Sequence, residues 1–284
     1  MPKTIKFIVR PCSSFPVPDS EGYSIYSALL NRMSESDEDT GRRVHGTDFS
    51  SISISGLDGS FKPSERDHHK TLPAGETYEL KVGVTDPTEV AIFQSLLKPL
   101  IFDGKTIELT HGELEVMETV SNSQSFKELA AEAARHVAGG IESISMEFLT
   151  PTCIQYKRSE ITEMFPHRMA VFNSLASKWN RTCPEELSME IERDELGSKL
   201  IEKPAARSYR THSVVVNRVF DDSKGHRRPI FRQGFTGRCE YMFGNLNDEG
   251  FREEIVTLAH FGEYAGVGSA VARGCGTLEV IIND

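Results

Sequence analysis

The sequence lacks the features of a membrane or secreted protein. No run approaches the roughly 18 consecutive apolar residues of a membrane span, and the N-terminus has no apolar signal-peptide core followed by a small-residue cleavage site. The five cysteines are odd in number, far apart and never spaced Cys-x-x-Cys, which argues against a disulfide framework or a zinc cluster. We therefore expect a cytoplasmic protein with reduced thiols and no membrane contact.

Motifs of common enzyme classes are also missing. There is no His-Glu-x-x-His and no Gly-x-Ser-x-Gly. A glycine-rich loop from Gly266 to Gly276 lies near the end of the chain, but no Gly-Lys-Ser/Thr follows it. Val271 occupies the third-glycine position of a dinucleotide fingerprint. We expect no cofactor and no metal, and we interpret the acidic run at 37–39 as a solvated surface.

Strand and helix patterns occur in the same order in both halves. Residues 4–10 alternate apolar and polar side chains, and the segment from Gly22 has helical spacing. The order is strand, helix, strand, strand, helix, strand, and it repeats from Glu142. This order predicts an α+β protein of two tandem ferredoxin-like (βαββαβ) domains, residues 1–140 and 141–284. The fold alone does not specify a function.

Positive charge is concentrated in one window of an acidic chain. The net charge is -10, yet nine Lys and Arg residues and only two Asp residues lie between Lys203 and Arg238, which gives this window about +7. The window covers a predicted long hairpin, and such asymmetry indicates a polyanionic partner. A solvated hairpin with a basic tip is the alternative. The arginines that we expect to bind nucleic acid are Arg207, Arg210, Arg227, Arg228 and Arg232.

The glycine-rich loop is the second candidate for phosphate contact. We expect the final strand, which follows this loop, to run beside the basic strands, so that loop amides and guanidinium groups face one polyanion. The alternative is a tight packing turn that needs glycine for its backbone conformation. The candidate residues of the loop are Gly266, Gly268, Ser269, Arg273, Gly274 and Gly276.

Several segments together resemble a known family. They are "GFTGRCEYMF" at 234–243, "LAHFGEYAGVGSAVARGCGTLEV" at 258–280, "MEFLTPT" at 146–152, "FPHRMAVFNSLASKWN" at 165–180, "YSIYSALLNRM" at 23–33 and "VHGTDFSSISISGL" at 44–57. On these segments the chain resembles the CRISPR-associated repeat-RNA endoribonucleases of the RAMP superfamily, in order from about Phe7 to Val280. The resemblance implies two ferredoxin-like domains. It also implies metal-independent cutting of CRISPR precursor transcripts within each repeat, with the guide RNA retained in some systems.

The resemblance points to His45 as the catalytic histidine. Metal-free cutting uses the ribose 2′-hydroxyl as the nucleophile, so one group must remove its proton and another must protonate the leaving oxygen. Histidine suits either task because its pKa of about 6.5 keeps both forms available near neutral pH. Other histidines are weaker candidates: His68 and His69 read as a loop pair and His167 as a surface residue.

The expected catalytic partners of His45 differ from the family pattern. Family members with a full triad carry a tyrosine and a lysine where this chain has Leu30 and Ser51. Tyr26, one helical turn before Leu30, is the candidate replacement for the tyrosine. Arg43, or its neighbour Arg42, is the candidate replacement for the lysine, and a basic side chain of this kind would stabilise charge on the phosphorane.

Two other functions remain open at the level of sequence. One is a non-catalytic RAMP subunit that coats guide RNA within a larger CRISPR effector complex. The other is a small-molecule enzyme built on ferredoxin-like domains, which the missing cofactor motif and the basic window disfavour. The expected partners are CRISPR repeat RNA or guide RNA and, in an effector complex, other subunits. The chain is expected to be a monomer or a homodimer.

Overall fold

The computed structural model describes residues 1–36, 52–86, 100, 106–156, 159, 161–221, 225–244 and 248–283. Its first half contains, in chain order, β1 (Lys3–Pro11), β2 (Phe15–Pro18), α1 (Gly22–Ser36), β3 (Ile52–Asp58), β4 (Lys62–Pro63), β5 (His69–Leu72), β6 (Tyr78–Val84), β7 (Ile107–Leu109), β8 (Gly112–Ser123) and α2 (Phe126–Ala138). The helix predicted from Pro87 lies outside the described residues.

The second half contains β9 (Ser143–Thr152), β10 (Ile154–Gln155), β11 (Thr162–Glu163), α3 (Arg168–Thr182), α4 (Arg193–Lys199), β12 (Leu200–Pro204), β13 (Arg210–Asp221), β14 (His226–Phe243), α5 (Glu249–Ala265) and β15 (Leu278–Asn283). Two 3₁₀ turns, Glu185–Leu187 and Val271–Arg273, complete the described elements.

The sheet of the first half has the strand order of a ferredoxin-like unit. Its order is β3-β6-β1-β8-β7, and β1 pairs antiparallel with β6 on one side and β8 on the other. The alternating residues Ile5, Phe7 and Val9 of β1 are buried, as the sequence pattern predicts. Helix α1 buries Ile25 and Leu29 in the same core. A small sheet of order β2-β5-β4 lies beside it.

The sheet of the second half repeats this arrangement. Its order is β12-β14-β9-β15. The long strand β14 pairs with β13 along its first part and with β12 along its last part. Helix α3 buries Phe172, Leu175 and Trp179 in the core of this half, as its helical spacing predicts. The prediction of an α+β protein with two ferredoxin-like units is confirmed.

One prediction about the second sheet is wrong. Strand β15, which follows the glycine-rich loop, does not run beside the basic strand β14, because β9 pairs with both and lies between them. In a βαββαβ unit the first strand occupies a central position between the third and the fourth. The glycine-rich loop therefore reaches the basic hairpin by another route, which is described below.

Helix α2 belongs to the core of the second half. Ser125 and Glu128 form a capping box that begins the helix. Its buried residues pack into the second core, where the ring of Phe126 meets Trp179 edge-on, with centroids 5.0 Å apart. A boundary at residue 140 stays a prediction, and the chain enters the second core some residues before it.

The two halves contact each other directly. Ser53 of β3 is buried, and its hydroxyl donates a hydrogen bond of 2.7 Å to the carbonyl oxygen of Tyr264 at the end of α5. This contact positions the end of α5, and the glycine-rich loop after it, against the first sheet. Among the described residues, none of the helices combines the length and the apolar content that a membrane crossing needs.

Candidate nucleic-acid interface

The glycine-rich loop lies against the beginning of helix α1. Gly274 has a φ of 83°, in the left-handed region, and a Cβ atom there would overlap the Cα atom of Gly22. Only glycine allows two backbones to approach this closely at such a φ. The contact joins the loop of the second half to the first helix of the first half.

Backbone amides of the loop donate hydrogen bonds within the protein. Their acceptors are the Gly262 carbonyl for Gly266 (2.8 Å), the Ser174 hydroxyl for Gly268 (2.9 Å), the Cys153 carbonyl for Ser269 (2.7 Å) and the Pro151 carbonyl for Gly276 (3.1 Å). These four amides were expected to hold phosphates, and that role stays a prediction. Because they already have protein partners, a phosphate near this loop would meet side chains such as Arg273 before it met these amides.

A buried lysine supports the start of the loop. The ammonium group of Lys178 in α3 donates to the carbonyl oxygens of Ala265 (3.1 Å) and Gly266 (2.8 Å), where α5 ends. A cation at this position satisfies carbonyl groups that have no partner within the helix. Burial, with a smaller contribution from the charge of Arg181, lowers the pKa of Lys178 to about 7. The lysine therefore stabilises the loop geometry at a cost in desolvation.

Arg273 of the loop lies against Tyr26 of helix α1. The 3₁₀ turn that carries Arg273 is flanked by left-handed residues, Ala270 with φ 58° and Gly274 with φ 83°. The guanidinium carbon of Arg273 lies 5.7 Å from the centroid of the Tyr26 ring, a cation–π distance. Both side chains are partly exposed. The structure thus brings together one predicted catalytic residue and one predicted RNA-binding residue.

The structure does not test the other predicted catalytic residues. His45 and Arg43 lie outside the described residues, as do Arg42 and Ser51. Leu30, at the position of the family's tyrosine, is buried in the first core with an exposed fraction of 5%. Tyr26, one turn earlier, is in contact with the loop instead.

A cleft of about 590 Å³ opens between the two halves beside the contact of Gly22 with Gly274. On one wall Glu21, which is 3% exposed, accepts from the Leu57 amide (2.7 Å) and pairs with Lys70 (2.8 Å). These bonds satisfy a buried carboxylate and fix the chain just before α1. The cleft therefore has a rigid polar wall next to the glycine-rich loop.

His212 of β13 lines the same cleft and was not singled out from the sequence. Its Nε2 lies 2.8 Å from the Thr236 hydroxyl, and burial lowers the pKa of His212. The alternation along β13 could have located it, because His212 is two and four residues before the inward-facing Val214 and Val216.

The basic hairpin, β13 and β14, presents an exposed face of aromatic and basic side chains. Phe220 pairs with Arg227, and Arg218 pairs with Pro229, two residues before Phe231. Because paired residues and alternate residues point to the same side of a sheet, these side chains share a face. Phe220 is 60% exposed and Phe231 53% exposed. Sequence reasoning missed the two phenylalanines. The pattern that could have identified them is the presence of aromatic residues among arginines in strands whose residues alternate between the two faces.

The other arginines that we predicted to bind RNA occupy different environments. Arg207 and Arg210 are exposed where β12 connects to β13, and Arg228 is exposed with its Nε 3.9 Å from Asp221. Arg232 is half-buried and donates to the side-chain oxygen of Gln155 (2.6 Å). Four of the five predicted arginines are thus accessible to a ligand, and Arg232 is partly engaged within the protein.

The hairpin and the glycine-rich loop meet at the end of β9. Cys153, Val214, Val216 and Cys275 form a small buried cluster, with Ala270 packed against it. Cys153 follows β9, the two valines belong to β13, and Cys275 belongs to the loop. The hairpin and the loop are therefore fixed relative to each other, although their strands are not neighbours.

Comparison with known proteins agrees with this geometry. Residues 146–278, which include the basic hairpin and the glycine-rich loop, match the family model of the CRISPR-associated endoribonuclease Cas6. The second half of the chain thus carries the sequence pattern of the Cas6 endoribonucleases. None of the curated protein sequences compared with it matches.

Solved structures of Cas6 proteins have the same fold as this chain. Thermus thermophilus Cas6 is similar with a TM-score of 0.66 and 16% identity, over 99% of this chain and 98% of that chain. A Cas6 product complex gives a TM-score of 0.67 and 18% identity, over 99% and 100% of the chains. A Cas6-related protein from Pyrococcus furiosus gives 0.60 and 11% identity, over 99% of each chain.

The packing of the loop predicts a large effect of one substitution. Gly276 (φ 71°) and Gly140 (φ 91°) both have positive φ, so an alanine at either position strains the backbone by about 1–2 kcal/mol. Only at Gly276 would the new Cβ overlap a backbone atom, the Val267 carbonyl oxygen, whereas at Gly140 it meets no described atom within 4 Å. Gly276→Ala should therefore lower the free energy of unfolding in urea clearly more than Gly140→Ala. Equal losses would contradict the close packing of the loop.

Burial of Lys178 predicts a pH dependence of stability. In the unfolded chain its pKa is near 10.5, and in the folded protein it is about 7. Between these two pKa values the lysine is protonated in the unfolded chain and neutral in the folded protein. Its contribution to the free energy of unfolding therefore increases with pH, by up to about 1.4 kcal/mol per pH unit. The cost of burying the charge is fully present below pH 7.

Lys178→Met is the matched variant because it keeps the length of the side chain and does not titrate. Urea unfolding at several pH values from 7 to 10 should show the wild type gaining stability relative to Lys178→Met as pH rises. A constant difference between the two proteins across this range would show that the pKa is not lowered.

Proposed function

We propose that this chain is an endoribonuclease that cuts CRISPR repeat RNA without a metal ion. The observation that carries the proposal is the contact of Arg273 with Tyr26 beside a cleft, in a chain whose second half matches the Cas6 family model. A guanidinium and a phenol that meet on an accessible surface suit a phosphodiester, because one supplies positive charge and the other a hydrogen-bond donor.

The proposed reaction uses the RNA itself as the nucleophile. The 2′-hydroxyl loses its proton and attacks the adjacent phosphorus, and the bond from phosphorus to the 5′-oxygen breaks as that oxygen gains a proton. The products are a 2′,3′-cyclic phosphate and a 5′-hydroxyl. DNA is not cut, because it lacks the 2′-hydroxyl.

Three roles follow for this chain. His45 moves a proton in the transition state, a task that suits imidazole near neutral pH. Arg273, with Arg43 as a second candidate, stabilises the charge that develops on the phosphorane. Tyr26 donates a hydrogen bond to the reacting phosphate. Support for Tyr26 and Arg273 comes from their contact, and support for His45 and Arg43 comes from the sequence resemblance alone.

The exposed face of the basic hairpin holds the RNA beside this site in our proposal. Arg218 and Arg227 contact phosphates, and Phe220 and Phe231 stack on unpaired bases. Stacking on an aromatic side chain contributes about 1–3 kcal/mol per base and tolerates any sequence. The small cluster at Cys153 supports this path, because it fixes the hairpin against the glycine-rich loop.

The first experiment is a cleavage assay in EDTA with labelled repeat RNA, and with the same RNA carrying 2′-deoxyribose only at the scissile position. We expect cutting at one site in the normal RNA, and binding without cutting of the deoxy RNA. His45→Ala should slow cutting by roughly 10²- to 10⁴-fold, with binding nearly unchanged. His212→Ala is the matched comparison, because His212 lines the cleft and has no assigned role in proton transfer.

The outcomes of this assay separate the alternatives. Binding without cutting of normal RNA would indicate a RAMP subunit that coats guide RNA, and absence of both would reject an RNA function. Cutting of the deoxy RNA would reject the mechanism. Full-rate cutting by His45→Ala together with a slow His212→Ala would move the proton transfer to His212.

The arginines of the hairpin should contribute to the salt dependence of RNA affinity. Each phosphate neutralised on single-stranded RNA contributes about -0.7 to the slope of log affinity against log salt. Replacing Arg227 and Arg228 by Glu should weaken binding and make this slope less steep, as measured by fluorescence anisotropy of uncleavable RNA at several salt concentrations. Lys62→Glu, an exposed change on β4, is the control and should leave the slope unchanged. An unchanged slope in the Arg227/Arg228 variant would place the RNA path elsewhere.

A further inference from the structure

Helices α2 and α5 bring three metal-ligating side chains together. Glu132 and His136 lie one helical turn apart on α2, and His260 faces them from α5. One ligand atom from each residue lies within 4.8 Å of the others. The rings of His136 and His260 stack, with centroids 5.6 Å apart and an interplanar angle of 29°.

His260 has a nitrogen that no hydrogen bond explains. Its Nε2 is buried and has no hydrogen-bond partner among the described residues. Buried polar atoms in native proteins nearly always have a partner. On the other side of the ring, Nδ1 lies 3.8 Å from the Glu263 carboxylate. In metal-binding histidines the nitrogen that does not hold the metal usually donates to a carboxylate, a carbonyl group or water. The Glu263 carboxylate lies on that side of the ring, at a distance longer than a hydrogen bond.

Glu132 is also held in position by neighbouring groups. The Gln124 side-chain amide donates to Oε2 of Glu132 (2.6 Å), and its oxygen accepts from the Tyr264 hydroxyl (2.7 Å). Burial, with smaller contributions from Glu263, Glu132 and Glu128, raises the pKa of Tyr264 to about 12, so its hydroxyl keeps the proton that it donates. These bonds orient the carboxylate as an outer shell of partners orients a metal ligand.

We propose that Glu132, His136 and His260 bind a divalent transition-metal ion such as Zn²⁺. Two imidazoles and one carboxylate are a ligand set that Zn²⁺ accepts, whereas Mg²⁺ and Ca²⁺ prefer oxygen ligands. Zn²⁺ holds these ligands at about 2.0–2.2 Å, so binding draws the three side chains closer together. The ion joins α2, which follows the first sheet, to α5, which leads into the glycine-rich loop. Its role is structural, and the proposed cutting reaction does not use it.

The test is metal binding by tag-free protein that has been stripped with chelator and dialysed. Calorimetry with Zn²⁺ and visible absorption with Co²⁺ should show one ion bound per chain, and Zn²⁺ should raise the melting temperature. His136→Gln, His260→Gln and Glu132→Gln should each weaken binding about 100-fold or more, since each removes a ligand. Gln124→Leu should weaken it about 10- to 100-fold.

His111→Gln is the matched control, because His111 is exposed and contacts Arg66 rather than the cluster. It should bind Zn²⁺ as the wild type does. The absence of saturable binding to the wild type would overturn the proposal, and so would wild-type affinity in both histidine variants. If circular dichroism shows that a histidine variant does not fold, the test rests on Glu132→Gln, whose position is half-exposed. Wild-type affinity for Zn²⁺ in that variant would reject the site.

Discussion

The contact of backbone against backbone at the glycine-rich loop determines the geometry of the proposed site. Gly274 lies on Gly22, and Gly276 lies on Val267, with no room for a side chain at either place. The first contact joins the loop to the start of helix α1, and so sets the distance between Arg273 and Tyr26. A side chain at Gly274 would push the loop away from α1 and so lengthen the distance of 5.7 Å between the Arg273 guanidinium carbon and the Tyr26 ring centroid. Glycine is thus required here for packing, and in the proposed function the phosphate contacts are made by side chains.

Strand β9 gives the loop and the basic hairpin a common support. It pairs with β14 on one side and β15 on the other. At its C-terminal end, the carbonyl groups of Pro151 and of Cys153, which follows the strand, accept hydrogen bonds from the loop. The buried cluster around Cys153 then fixes the base of the hairpin. An RNA strand that follows the exposed face of the hairpin would therefore meet a rigid surface rather than two independent segments. Lys178 adds support at the start of the loop, where it donates to the carbonyl groups of Ala265 and Gly266.

Local sequence patterns predicted the helices and strands. Long-range packing determines the strand order, the core that α2 joins and the direction of the loop amides. Alternation in β1 and helical spacing in α3 identify strands and helices because buried positions repeat with the period of the element. Strand order is a non-local property, so the separation of β14 and β15 by β9 could not be derived from either strand. The capping box and helical spacing of α2 are likewise local features. Which of the two cores the helix packs into depends on contacts such as that of Phe126 with Trp179, more than fifty residues away. The same limit applies to the loop, where glycine spacing cannot distinguish amides that face a ligand from amides that face the protein.

Photo-crosslinking at the scissile nucleotide is the sharpest test of the proposed site of cutting. Repeat RNA with 2′-deoxyribose and a photoreactive base at that nucleotide would be bound, irradiated and digested, and the attached peptide identified by mass spectrometry. The proposed site predicts attachment to the peptides that contain Tyr26 or Arg273, because these two side chains meet there. Attachment confined to peptides of the hairpin tip, or to the surface of α2, would contradict it.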